Sequence, residues 1–244
     1  MSNLRRCTAL VLVLLAVQGI PAASAAEKEP NFVDPSKLDL RTLLPPPPAV
    51  NSAKSKAELA EIHAFEKTRT PEREKIAQDD EAETVFVVVR DDLGPEFNEA
   101  NLPVTAAFFK KVLSDESAIV NPAKELWARP RPAIADPTVK LCVKPSTSGS
   151  YPSGHTTIGY LTAIVLSDML PEYRGAIFDD AARFAESRII CGVHYRSDTD
   201  ASKVAAAAMV MQMRENPSFQ QEFAAAKAEL RKFQGQGKIA ARAR

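Results

Sequence analysis

Histidine is scarce in this chain. Only His63, His155 and His194 occur in 244 residues, and no acidic cluster accompanies them. That argues against the usual ligand sets of zinc and other transition-metal sites, so no metal and no cofactor is expected. Glycine is scarce as well, with 9 residues, while alanine is abundant. That balance favours helix over sheet. An excess of either charge is missing, since 31 Lys and Arg face 31 Asp and Glu. Nothing in that balance points to a nucleic-acid partner. Beyond the first 25 residues there is no long hydrophobic run. The longest are Ile158–Leu166, interrupted by Gly159, Tyr160 and Thr162, and Val204–Met211. Both fall far short of the roughly 20 residues of a membrane span. The 45% hydrophobic content is still enough for a sizeable core.

The first 25 residues read as a secretory signal peptide rather than as part of the fold. Arg5 and Arg6 make a basic start, Thr8 to Ile20 is largely apolar, and Ala23-Ser24-Ala25 is a small-residue cleavage site. The rival reading, an N-terminal anchor, meets an apolar core short for a span. Cys7 precedes that core, so it is not placed as a lipoprotein cysteine. Cleavage near Ala25 would leave a periplasmic or secreted protein with 29 basic and 31 acidic residues. It would also leave two cysteines, Cys142 and Cys191. An even count in an oxidising compartment suggests one disulfide, with two separate buried thiols as the alternative.

The remaining chain divides into an extended arm over residues 26–50 and one domain over 51–244. The four consecutive prolines Pro45 to Pro48 cannot be helix, and the arm is expected to lie as an extended strap over the domain surface. Ser52 to Arg69 reads as a helix, and His63 within it as an ordinary surface or boundary histidine. Thr70-Pro71 is a strong helix start, and that helix is expected to run to about Asp92 through the apolar Val85–Val89. Further helices are expected from Pro103 to Leu113, from Pro122 to near Pro130, over Ser153–Leu170, Glu172–Ile190, Asp198–Arg214 and Pro217–Phe233. Residues 133–151 read as a loop. The expectation is an all-α single-domain bundle of about seven or eight helices.

Three patches carry chemistry. The first holds Lys124 and Arg131. The second is Pro152-Ser153-Gly154-His155, leading into a helix. Free backbone N–H groups at a helix start hold an anion, glycine lets it approach closely, and Ser153 can add a hydroxyl donor. The third is Ser187–Asp198. Its upstream apolar face runs Ile177, Ala181, Phe184 and Ala185, and Arg188 is the next position on it. A guanidinium at a core position needs an anionic partner, either a structural carboxylate or a bound anion such as phosphate. If the backbone is helical from His194 on, Asp198 lies beside it at the +4 spacing. A carboxylate there fixes the tautomer and steadies charge on the ring. Each patch alone has a bland reading as a capped helix or solvated loop. Together they supply three cations, a helix N-terminus and two histidines, which are the needs of phosphoryl transfer.

The patches resemble the signature of the type-2 phosphatidic acid phosphatase superfamily, which also includes vanadium haloperoxidases. That signature is K-x6-R-P, P-S-G-H and S-R-x5-H-x3-D, and Lys124…Arg131-Pro132, Pro152–His155 and Ser187-Arg188…His194…Asp198 match it throughout. More closely, the chain is similar to bacterial class A non-specific acid phosphatases, through the exported start, Leu43–Pro48, Gly149–Tyr151 and Cys191–Tyr195. The resemblance implies a metal-independent phosphomonoesterase of broad range. In it His194 is the nucleophile, Asp198 holds its ring, and His155 is the general acid. Lys124, Arg131, Arg188, Ser153 and Gly154 bind phosphate. It also implies small-molecule phosphate monoesters as partners, no stable membrane insertion and a homodimer or larger homo-oligomer. Rival readings are a specialised nucleotide, phytate or lipid-phosphate phosphatase, a vanadium haloperoxidase, and a non-catalytic phosphate-binding protein. A general acid that must be protonated predicts a mildly acidic optimum, since free histidine titrates near about 6.5.

Overall fold

Helix α8 (Gly154–Met169) is the centre of the molecule, and α9 (Arg174–Ile190) and α10 (Arg196–Met213) pack along it. Thr156, Ile158, Leu161, Thr162, Val165, Leu166 and Met169 of α8 are all buried, so apolar contact surrounds the helix rather than striping one side. The close approach of α9 depends on Gly159, where a Cβ would stand 3.0 Å from Cδ1 of Phe184. The computed structural model describes residues 29–239, so the expected signal peptide at 1–25 lies outside the described residues. The described residues are helical with no strand, as an all-α bundle requires.

The elements before α8 are α1 (Leu40–Leu43), α2 (Ala53–Thr68), α3 (Pro71–Asp79), α4 (Val85–Val88), α5 (Pro103–Ser114), α6 (Glu116–Trp127) and α7 (Pro132–Ala135). A single 3-10 turn, Pro171–Tyr173, joins α8 to α9, and α11 (Pro217–Gly235) closes the bundle against α5. Side-chain caps start half of the longer helices. Ser52, Thr70, Ser153 and Asn216 each accept an N–H from the first turn, and Pro71, Pro103 and Pro217 open their helices. Among the described residues no helix is long and apolar enough to cross a membrane.

Five expectations are corrected. Thr70-Pro71 does start a helix, but α3 ends at Asp79 instead of running to Asp92. Asp80 is fully buried, and its carboxylate takes Arg90 at 2.9 Å, Arg183 at 3.1 Å and the Ser187 hydroxyl at 2.5 Å. These bonds hold the chain in a turn, and Thr84 then caps the separate α4. Pro122 does not open a helix but lies inside α6, which begins six residues earlier. The arm is no mere strap, since Phe32, Val33, Leu40 and Leu44 are buried. Phe32 meets Phe219 edge-on at 5.4 Å and lies 6.0 Å from Phe108, tying the arm to α11 and α5. A shorter correction is α7, a four-residue helix at the start of the expected 133–151 loop. His63 is also more than a boundary residue, pairing with Glu66 at 2.9 Å and Asp136 at 3.0 Å, away from the three patches.

Candidate active site

The ends of four helices meet at one place. The α6 C-terminal turn supplies Lys124, the segment after it Arg131, the start of α8 Ser153 to His155, and the last turn of α9 Arg188. His194 lies in the tight connection between α9 and α10. Two features shape that connection. Gly192 has φ +70°, a conformation L side chains rarely adopt, and the Cys142–Cys191 disulfide pins the preceding residue. The amides of Val193 and His194 then both donate to the Arg188 carbonyl, at 3.0 and 3.2 Å.

His194 is buried and held at both nitrogens. Nδ1 is 3.2 Å from Oδ2 of Asp198, and Nε2 is 3.2 Å from Nη1 of Arg131. A guanidinium only donates, so Nε2 presents its lone pair to it and Nδ1 carries the hydrogen toward Asp198. The carboxylate reaches His194 differently from the expected helical turn. Helix α10 starts at Arg196, after the histidine, and Asp198 at its third position folds back to accept the Tyr195 amide at 2.9 Å. The +4 neighbour is therefore delivered by a capping box. Burial, reinforced by Arg131, Lys124 and Arg188, holds His194 well below the ordinary histidine range and so favours the neutral ring. Burial pushes Asp198 up to about 6, while Arg129 and the Tyr195 amide pull it down.

The three cations differ in how they are held. Arg131 is fixed by the carbonyls of Ser148 at 2.9 Å and Val193 at 3.0 Å. Lys124 donates to the Gly149 carbonyl at 3.1 Å. A Cβ on Gly149 would stand 2.7 Å from the Lys124 carbonyl, so that loop can approach only as glycine. Arg188 makes an ion pair with Glu81. Ser153 caps α8 by accepting the Thr156 amide at 3.3 Å, which does not use the hydroxyl's own hydrogen. Its amide is bonded to the Asp198 carbonyl at 3.3 Å, locking the start of α8 to α10.

Four further side chains belong to this cluster and escaped the sequence reading. Arg129 is 3% exposed and joins Asp198 at 2.5 Å, Ser197 at 2.8 Å and Glu58 at 3.1 Å, with its guanidinium 3.9 Å above the Tyr195 ring. It lies inside the first patch, and only its neighbours in the signature were read. The other three are acidic. Glu81 pairs with Arg188 and lies 3.7 Å from Nε2 of His155. Glu83 is 2.9 Å from Nδ1 of His155. Glu116 packs against Gly154, where a Cβ would stand 2.6 Å from its Oε1. Burial raises Glu116 and lowers Lys124, each toward neutrality, and their mutual attraction opposes both shifts. No local pattern marks these carboxylates, which come from the α3–α4 turn and the first turn of α6. Buried atoms here without a hydrogen-bond partner include Nε2 of His155, Nε of Arg188, Nε of Arg129 and Oε1 of Glu116. The cations Lys124, Arg131 and Arg188 and the N-terminus of α8 are donors of the kind that suit a polyanion such as phosphate. Among the described residues no group of three or more His, Cys, Asp or Glu is arranged to hold a metal ion.

The comparisons with known proteins agree with that chemistry. The PAP2 superfamily matches residues 106–217. A non-specific acid phosphatase of Providencia stuartii is 34% identical over 204 residues, covering 80% of this chain and 82% of its own. An acid phosphatase of Zymomonas mobilis is 28% identical, covering 86% and 83%. Among solved structures, a transmembrane PAP2-type phosphatidylglycerolphosphate phosphatase from Bacillus subtilis is 16% identical with a TM-score of 0.49, covering 68% of this chain and 87% of its own. The chain belongs to the class A-type acid phosphatases of the PAP2 superfamily and is a phosphomonoester hydrolase.

Proposed function

We propose that the protein is an exported, metal-independent acid phosphatase of broad range that works through a phosphohistidine on His194. The observation that carries this is the double hold on the His194 ring, Nδ1 on Asp198 and Nε2 beside Arg131. The lone pair of Nε2 attacks phosphorus, and Asp198 steadies the positive charge that the ring then acquires. Lys124, Arg131 and Arg188, with the Gly154 amide and the Ser153 hydroxyl, neutralise the phosphoryl oxygens. Those donors supply the charge stabilisation that a metal ion would otherwise provide. His155 protonates the departing alkoxide from the opposite side and then takes a proton from the water that releases phosphate. Burial favours the neutral, nucleophilic form of the His194 ring, which supports activity on the acid side of neutrality. Recognition confined to the phosphoryl group supports a broad range of alcohols. Export is supported by the signal-like start of the sequence and by the disulfide between Cys142 and Cys191.

The test is to quench the enzyme in alkali during turnover of a radiolabelled aryl phosphate. A base-stable, acid-labile label that His194→Ala abolishes is the expected result. Turnover without such a label, or loss of activity in excess chelator, would overturn the reading.

A further inference from the structure

The site holds two histidines, and each has a carboxylate on Nδ1. For His194 the partner is Asp198, which the sequence spacing announces. For His155 it is Glu83, at 2.9 Å. We infer that Glu83 is the positioning residue of the general acid, holding Nδ1 of His155 so that Nε2 is the nitrogen that meets the leaving group. The inference rests on the assignment of His155 given above.

The chemistry follows from what each atom can do. A carboxylate only accepts, so Nδ1 keeps a hydrogen throughout the cycle. Every change of protonation must then occur at Nε2, which is buried without a hydrogen bond, the Glu81 carboxylate standing 3.7 Å away. In the first step the P–O bond to the alcohol breaks, the bond from phosphorus to His194 forms, and the Nε2 proton passes to the leaving oxygen. In the second, water attacks phosphorus, the P–N bond breaks, and the water proton returns to Nε2. One nitrogen serves both steps, and the ring need not turn. The ring is also restrained from its face, stacked on Phe184 at 6.1 Å between centroids with planes 22° apart.

Glu83 is itself held from both sides. Asp80, three residues before it, is locked by Arg90, Arg183 and Ser187, and Thr84, the next residue, caps α4. Burial pushes the Glu83 carboxyl up, but His155, Arg188 and Lys124 outweigh that and keep it below its ordinary value. The charged groups around His155 and Glu83 are then Glu81 from the same turn, Lys124 and Glu116 from α6 and Arg188 from α9, with His194 as a further titratable ring.

The experiment measures the rate of phosphoenzyme formation in the full chain with a nitrophenyl phosphate and with an alkyl phosphate. The variants are Glu83→Gln, Glu83→Asp, His155→Ala and the double Glu83→Gln/His155→Ala. General acid catalysis is worth about 100-fold or more and matters most for a poor leaving group. Glu83→Gln should therefore slow the alkyl phosphate at least about tenfold more than the nitrophenyl ester, Glu83→Asp should recover part of that selective loss, and the double variant should be little slower than His155→Ala alone. Equal losses on both substrates, or full additivity with His155→Ala, would overturn the inference. If His155→Ala itself shows no leaving-group dependence, the underlying assignment fails. If His155→Ala does and Glu83→Gln does not, only the role of Glu83 fails.

Discussion

Arg129 offers the sharpest test of how the buried His194–Asp198 pair is supported. Its guanidinium neutralises two buried carboxylates, Glu58 at 3.1 Å and Asp198 at 2.5 Å. Arg129→Met keeps most of the volume and removes the charge. Glu58 would keep the Ser197 amide at 2.9 Å, and Asp198 the Tyr195 amide at 2.9 Å, but neither would face a cation at this position. Removing one partner of such a buried pair costs about 3–5 kcal/mol, because an uncompensated charge stays behind. For a chain of this size that is a fall in melting temperature of roughly 6–20 °C. The loss also has a sign in pH. Burial already raises Asp198 to about 6. A carboxyl raised above its unfolded value loses stability as pH rises, and removing Arg129 raises it further. The variant should therefore be penalised more at pH 7.5 than at pH 5, with a difference of about 1 kcal/mol or more. Urea unfolding followed by circular dichroism, with the disulfide intact, measures both values. A loss under about 1 kcal/mol, or an equal loss at the two pH values, would refute the argument that Arg129 carries a charge burden.

Three further outcomes are expected. Glu81→Gln frees Arg188 from a competing carboxylate, so the inhibition constant of inorganic phosphate should fall several-fold; an unchanged or higher constant would remove Glu81 from the phosphate pocket. Burial pushes Asp180 up to about 7, with Arg183 pulling against it and Oδ2 left without a hydrogen bond. Because its folded value lies above the unfolded one, the ionised form costs stability as pH rises from 3.8 toward 7. Asp180→Asn should then gain about 1 kcal/mol or more at pH 8 and little at pH 4, and equal melting shifts at both would refute this. Replacing Cys142 and Cys191 together by serine opens a loop of sequence separation 49 and should cost about 2–4 kcal/mol by thermal unfolding; a shift too small to measure would mean the bridge constrains little.

Much of the fold could be read because the helices announce their ends. Thr70-Pro71, Ser153-Gly154 and Asn216-Pro217 combine a cap with a helix-starting residue, and the helices begin there. The boundary that failed, at Asp79, failed for a tertiary reason. Nothing local stops a helix in Gln78–Glu83. What stops it is the pull on Asp80 from Arg183 and Ser187, more than 100 residues away. That same break aims Glu81 and Glu83 at the site, so a misplaced helix end and two unseen carboxylates have one cause. Arg188 was legible as a core cation in need of an anion, and the structure supplies Glu81. Arg129 could not be recognised, because its partners Glu58 and Asp198 lie 71 and 69 residues off.

The arm also sets an order of events. The amides of Asn31, Phe32 and Val33 converge on the Asp115 carboxylate at 2.7 to 3.1 Å. Asp34 exchanges hydrogen bonds with Gln212, and the Phe32 carbonyl takes the side chain of Asn216, 184 residues later. A ribosome delivers these residues first and their partners last. The earliest described segment therefore cannot reach its final place until α10 and α11 have been made, so the bundle closes only once its last two helices exist.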